Sequence, residues 1–198
     1  MARIREFDTE AAVEAAMNAF RRRGYEGTSV QDLVSATGLG RGSLYAAFGS
    51  KEGLYLAAMD RYRERYALPL VELLRGGAPA RELLREVLVG TVDAIVRDGS
   101  RQACLIVGAT TERIAHDPKA AAHVRSTTAS LEDALCELIA EAQASGELPA
   151  ARGARDLARF LLVTMQGLKV MGAIDPDRPS LMGAVEVALG ALDRTGTA

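Results

Sequence analysis

Residues 28–48 read TSVQDLVSATGLGRGSLYAAF, two short helix-like runs separated by the tetrapeptide Thr37-Gly38-Leu39-Gly40. Ser29 with Asp32 three positions later has the form of a capping box, and Leu33, Val34 and Ala36 supply apolar contacts for a helix ending near Thr37. Gly38 suits the left-handed residue that stops that helix, Leu39 an anchor into a core, and Gly40 the opening of the next segment. A further helix then fits Arg41 to Phe48, closed by Gly49. Two helices joined by a turn this short let the second protrude while the first braces it. Its apolar face is narrow, Leu44 and Phe48 with Leu39 before them, whereas Arg41, Gly42, Ser43, Ala46 and Ala47 are small or hydrogen-bonding. That pattern lets a helix backbone approach the floor of a DNA major groove. Arg41 has the chemistry to read guanine or hold a phosphate, and Tyr45 offers a phosphate a hydroxyl on a rigid ring. The amides that begin the second helix, with Thr28 and Ser29, and those near Ser50 and Lys51, suit phosphate oxygens on either side.

Charge supports a local reading. The chain of 198 residues carries a net charge of −2, so any nucleic-acid surface must be a patch. Between residues 21 and 51, Arg21, Arg22, Arg23, Arg41 and Lys51 face only Glu26 and Asp32. Hydrophobic residues make up 48% and charged residues 25%, as in a folded domain with a sizeable core. Cys104 and Cys136 are too few for a disulfide framework and lack zinc spacing, which points to a reducing compartment. The opening MARIREFDTEAA has no apolar core behind its charges, so a cytoplasmic protein is expected. Leu157 to Ile174 is the most apolar long run, but Arg159, Gln166 and Lys169 interrupt it. It reads as a buried helix and not as a membrane span.

Elsewhere the pattern is helical throughout. Asp8 caps a first helix near 9–23, whose face is Val13, Ala16, Met17 and Phe20, and Gly24 ends it. Ser50 caps a fourth helix running towards Pro69, with Gly53 predicting a loose first turn. Further helices fit 80–97, 102–115, 119–145, 152–173 and 180–193, punctuated by glycine and proline, and no strand-like alternation competes. The expected fold class is all-α, with about nine helices: a three-helix module over 1–50, a linking helix over 51–75 and a larger helical body over 76–198.

The run TSVQDLVSATGLGRGSLYAAFGSKEGLY, with FRRRGYEG before it, resembles the DNA-binding signature of the TetR/AcrR transcriptional regulators over residues 9 to about 60. The resemblance implies a helix-turn-helix domain, a fourth helix joining it to a helical ligand-binding and dimerisation domain, and repression relieved by a small molecule. It implies phosphate contacts at Thr28, Tyr45 and Lys51, and groove-facing Arg41, Gly42, Ser43 and Ala46. Many members carry a polar residue where Ala46 and Ala47 stand, which leaves the base readers open.

GELPAARGARDLARFLLVTMQGLKVMG and the closing helix are similar to the C-terminal half of many such regulators. Leu157, Leu161, Thr164, Leu168 and Met171 form one stripe with Phe160; Leu181, Val185, Ala188, Leu189 and Leu192 form another with Ala184. Four such helices, two per subunit, give a homodimer whose two recognition helices read a pseudo-palindromic double-stranded operator. The competing arrangement places both stripes in one monomer core. By family analogy an unidentified small-molecule inducer sits among helices four to eight, near Tyr62, Tyr66, Cys104, Val107, Thr111, Met165 and Lys169; plain packing is the alternative for each. Cys104 has two readings, an inert buried thiol or a sensor tuned by Arg101. His116 and His123 lack convincing further ligands, so no metal or cofactor is expected. No nucleophile elbow, phosphate-binding glycine loop or HExxH helix suggests an enzyme. A helical ligand carrier without DNA binding is the alternative function.

Overall fold

The computed structural model describes residues 8–98 and 104–193. Among them are α1 (Thr9–Arg23), α2 (Val30–Thr37), α3 (Arg41–Phe48), α4 (Lys51–Tyr62), α5 (Leu68–Leu74), α6 (Ala80–Asp98), α7 (Leu105–Glu112), α8 (Pro118–Ala144), α9 (Ala154–Ile174) and α10 (Arg178–Gly190), with no strand. A π-helical turn, Arg63–Ala67, joins α4 to α5, so these read as one interrupted helix and the count as nine. Pro69 explains the interruption. Its ring and missing N–H do not fit a continuous α-helix, and it lies in the first turn of α5 instead.

The helices divide into two compact units. The first comprises residues up to 65 together with 104–124; the second comprises 66–103 and 125 onwards. The first unit therefore contains α7 and the start of α8 as well as the N-terminal helices, a grouping that the linear order of the chain does not suggest.

In the first unit, the Asp8 carboxylate accepts the Ala11 amide at 3.1 Å and starts α1. The α1 stripe of Val13, Ala16, Met17 and Phe20 is buried against Leu33 of α2, Leu44 of α3 and Leu54, Tyr55 and Met59 of α4. Phe20 and Tyr55 meet edge to face with centroids 4.9 Å apart. Ser29 and Asp32 form both halves of the capping box that opens α2. Ser50 caps α4 by accepting the Gly53 amide at 3.0 Å. Gly53 does not loosen that start as its helix propensity predicts. A Cβ there would collide with the Phe48 carbonyl oxygen, so glycine is what lets α3 and α4 close on each other. Asp117 caps α8, its carboxylate accepting the Lys119 and Ala120 amides at 3.0 Å each.

The second unit has its own core, drawn from Leu83, Leu84, Leu88 and Val92 of α6, Leu135 and Ile139 of α8, and buried residues of α9 and α10. α6 and α9 approach so closely at Gly172 that a Cβ would strike the Ile95 side chain. α9 is long and apolar enough by composition to cross a membrane, but Leu157, Ala158, Leu161, Leu162, Met165 and Leu168 are buried in this core. Surface ion pairs, such as Arg85 with Glu186 at 2.9 Å and Arg155 with Asp133 at 2.6 Å, tie the helices at their rims. Each contributes at most about 1 kcal/mol.

Candidate nucleic-acid interface

α3 is held by little of its own surface. Leu44 is its one buried residue and Phe48 is half-buried, while Arg41, Gly42, Ser43, Tyr45, Ala46 and Ala47 are exposed. Gly38 takes the left-handed conformation, φ 69°, and its amide donates to the Val34 carbonyl, so α2 stops there. Gly42 has no internal reason to be glycine: a Cβ would meet nothing within 4 Å. Within a helix it costs about 1 kcal/mol relative to alanine.

Two of the expected phosphate contacts, Tyr45 and Lys51, lie around one shallow groove lined also by Val30, Leu33, Leu44, Ser50 and Leu54. Tyr45 is 43% exposed beside it. Lys51 sits in the first turn of α4, its ammonium 4.1 Å from the centroid of the Tyr25 ring, and partial burial lowers its pKa. Ser29 is exposed at the start of α2, but its hydroxyl is engaged with Asp32 at 2.6 Å. Hydrogen bonds from the Ser29 hydroxyl and amide, with the Arg23 guanidinium 2.5 Å away, hold the Asp32 carboxyl below its ordinary pKa. Thr28 is placed differently from its expected role. It is fully buried, and its hydroxyl donates to the Gly24 carbonyl at 2.6 Å, so it braces the turn from inside.

This combination, an exposed eight-residue helix on a short glycine turn with two capped helix starts flanking it, is a helix-turn-helix DNA-binding module. A family model for bacterial regulatory proteins of the tetR family matches residues 12–58, and one for the C-terminal part of BetI-type transcriptional repressors matches 80–197. The chain belongs to the TetR family of transcriptional regulators. It is 35% identical over 195 residues to the uncharacterized HTH-type regulator YezE of Bacillus subtilis, covering 98% of this chain and 100% of that protein. It is 31% identical to the transcriptional repressor ComR of Escherichia coli, covering 85% of this chain and 80% of the repressor. The TetR-family regulator CifR, solved with a 26-base-pair operator DNA, superposes with a TM-score of 0.82 at 32% identity, over 96% of this chain and 99% of that one. The TetR-family chain is thus a DNA-binding transcriptional regulator with an all-α fold, as its opening motif indicates.

The other expected residues are distributed as follows. Tyr62 and Cys104 are brought together in the first unit, hydroxyl to thiol at 3.2 Å, both buried. Val107 is half-buried in the same core, and Thr111 is exposed with its hydroxyl donating to the Gly108 carbonyl. Tyr66, Met165 and Lys169 belong to the second unit, where Met165 is buried in the core, Tyr66 exposed and Lys169 half-buried. Arg101 lies outside the described residues. Among the described residues no group of three or more His, Cys, Asp or Glu side chains is arranged to hold a metal.

The apolar stripes of α9 and α10 require a correction. Leu157, Leu161, Leu168, Leu181, Val185, Ala188 and Leu192 are all buried within the protomer, where a second subunit cannot reach them. Thr164 and Leu189 are half-buried, and of the ten only Met171 is exposed, at 56%. Phe160 and Ala184, which the same stripes include, are exposed too, and beside them Val163, Val170 and Ile174 on α9 and Val187 on α10 are left outside.

Sequence reasoning also left Tyr25, Glu112 and Arg113 unassigned. Tyr25 stood within the quoted GYEG run; Glu112 carries no local signal, because its partner Tyr25 lies 87 residues away, and Arg113 is paired locally only with Asp117.

Proposed function

We propose that the protein is a homodimeric repressor that binds a pseudo-palindromic DNA operator and is released from it by a small-molecule ligand. The observation that carries this is the conjunction of two exposed surfaces: α3, standing clear of its own module, and the apolar face of α9 and α10. One recognition helix binds weakly, and twofold pairing through the second surface presents two. Arg41, Gly42, Ser43 and Ala46 face the major groove, and Ser29, Tyr45 and Lys51 hold phosphates, with Thr28 supporting them from within. DNA binding belongs to residues 1–50, the link to 51–75, and ligand binding and dimerisation to 76–198. Relatives named as repressors, ComR and BdcR of Escherichia coli, support the sign of regulation. The place of action is the bacterial cytoplasm, where the operator is, and the protein performs no catalysis.

The ligand-free dimer sets its recognition helices about 34–36 Å apart, or a multiple of this, to meet successive major grooves. A ligand that prefers another spacing shifts the population away from DNA, by no more than its difference in affinity for the two states. Selection from a random DNA pool, followed by sequencing, tests the reading. The expected outcome is an inverted repeat bound with steep salt dependence. Selection that enriches no sequence, with affinity insensitive to salt, would refute it.

A further inference from the structure

The turn after α1 is gripped from outside the three-helix module. Glu112, the last residue of α7, accepts the Tyr25 amide at 2.6 Å and the Glu26 amide at 3.1 Å through one carboxylate oxygen. Gly24 makes room for it, because a Cβ at that position would collide with the same carboxylate. The following residue, Arg113, lays its guanidinium against the Tyr25 ring, 4.1 Å from the centroid. Arg113 is fixed in turn by Asp117 at 2.9 Å and Glu26 at 3.5 Å. Tyr25 also carries the Lys51 ammonium, again at 4.1 Å, so one ring takes a cation from the residue that follows α7 and a cation from α4.

Chain geometry gives this cluster its consequence. Tyr25 lies four residues before Ser29, the N-cap of α2, and its ring meets the first residue of α4. Both phosphate-facing points of the module therefore hang on the same residue. We propose that Glu112 and Arg113 are positioning residues for operator binding: they lock the Tyr25 turn so that the start of α2 and Lys51 are presented to the DNA backbone together. This rests on the reading of Lys51 as a phosphate contact. Neither residue touches DNA in this scheme. They raise affinity by keeping Lys51 where it reaches a phosphate; with the turn released, DNA is bound without that contact, so both affinity and salt slope fall.

The test uses the full-length protein and its selected operator, with affinity measured by fluorescence anisotropy across a salt series. Lys51→Met is expected to make the slope of log affinity against log salt shallower by about 0.9 per subunit, one phosphate contact each. Glu112→Met, which keeps the length but removes the acceptor, is expected to lose about tenfold or more in affinity and to show the same shallower slope. Glu112→Gln, which keeps an acceptor oxygen, should restore most of both. In the Lys51→Met background Glu112→Met should change the slope no further. If Glu112→Met lowers only the melting temperature, or weakens binding with the wild-type slope, the positioning role is overturned while the Lys51 reading stands. If Lys51→Met leaves the slope unchanged, that reading fails and takes the inference with it. Should Glu112→Met not fold, Arg113→Lys gives the same comparison, because it keeps the charge and removes the planar contact with Tyr25.

Discussion

Val163 offers the sharpest test of the proposed pairing of two subunits through α9 and α10. It is 65% exposed on α9, between Phe160 and Val170, and Val187 on α10 is 75% exposed. Burying a whole valine side chain is favourable by about 1.5–3 kcal/mol, so the area still open at Val163 is worth about 1–2 kcal/mol per subunit. Twofold symmetry doubles this to about 2–4 kcal/mol. Val163→Glu forfeits that amount and also forces two carboxylates out of water, a cost of several kcal/mol for each ion unless it finds a partner. A loss of at least ~4 kcal/mol follows, which weakens the dimer about a thousandfold. Sedimentation velocity over a range of concentrations reads this directly, and full-operator affinity should fall with it. Leu161→Ala is the control: that side chain is buried within the protomer, so it should cost about 2–5 kcal/mol of fold stability. A Val163→Glu protein that dimerises as tightly as wild type would refute the assignment of this face.

Arg41→Ala should weaken specific operator binding by about 1–3 kcal/mol and relax preference at one base pair if the side chain reads a base, measured against a panel of single-base operator variants. A uniform loss across the panel would assign it to phosphate. Gly172→Ala drives a methyl into Ile95 and should destabilise the second unit by about 1–3 kcal/mol in denaturant titration, with Ile95→Ala relieving part of the loss in the double mutant. Purely additive effects would show that α6 and α9 do not meet there. Asp117 responds to pH. Burial opposes its charge, but the Ala120 amide, the Arg113 guanidinium and the Lys119 amide outweigh burial and hold its pKa below the ordinary 3.8. Its folded-state pKa being the lower one, its contribution is complete above the unfolded-state value of 3.8 and is lost as pH falls from there through the folded pKa. The stability difference between wild type and Asp117→Asn should thus be flat near neutrality and shrink below about pH 4; a constant difference down to pH 2 would contradict it.

Much of the candidate interface was legible because its signals are local. A cap and its partner three residues on, or a glycine at a left-handed position, act within one turn of backbone, and Ser29, Asp32, Gly38 and Ser50 form the caps and turn that their spacing indicates. The protruding helix was legible for the same reason, since Leu44 offers only a narrow apolar strip. Gly53 shows the limit of such rules: intrinsic propensity counts it as a weakness, whereas the carbonyl of Phe48 makes it a requirement.

By itself the sequence determined that α9 and α10 are helices and that both must bury apolar surface, because periodicity and composition record a need to leave water. Which face turns inward was decided only in three dimensions. α9 is apolar on both sides, so Leu161 and Val163 look alike to any periodic reading until the other helices of its unit take one of them. The grip of Glu112 on Tyr25 belongs to the same class. A carboxylate 87 residues from its amide partner is specified by packing, and nothing in the order of residues between them encodes the meeting.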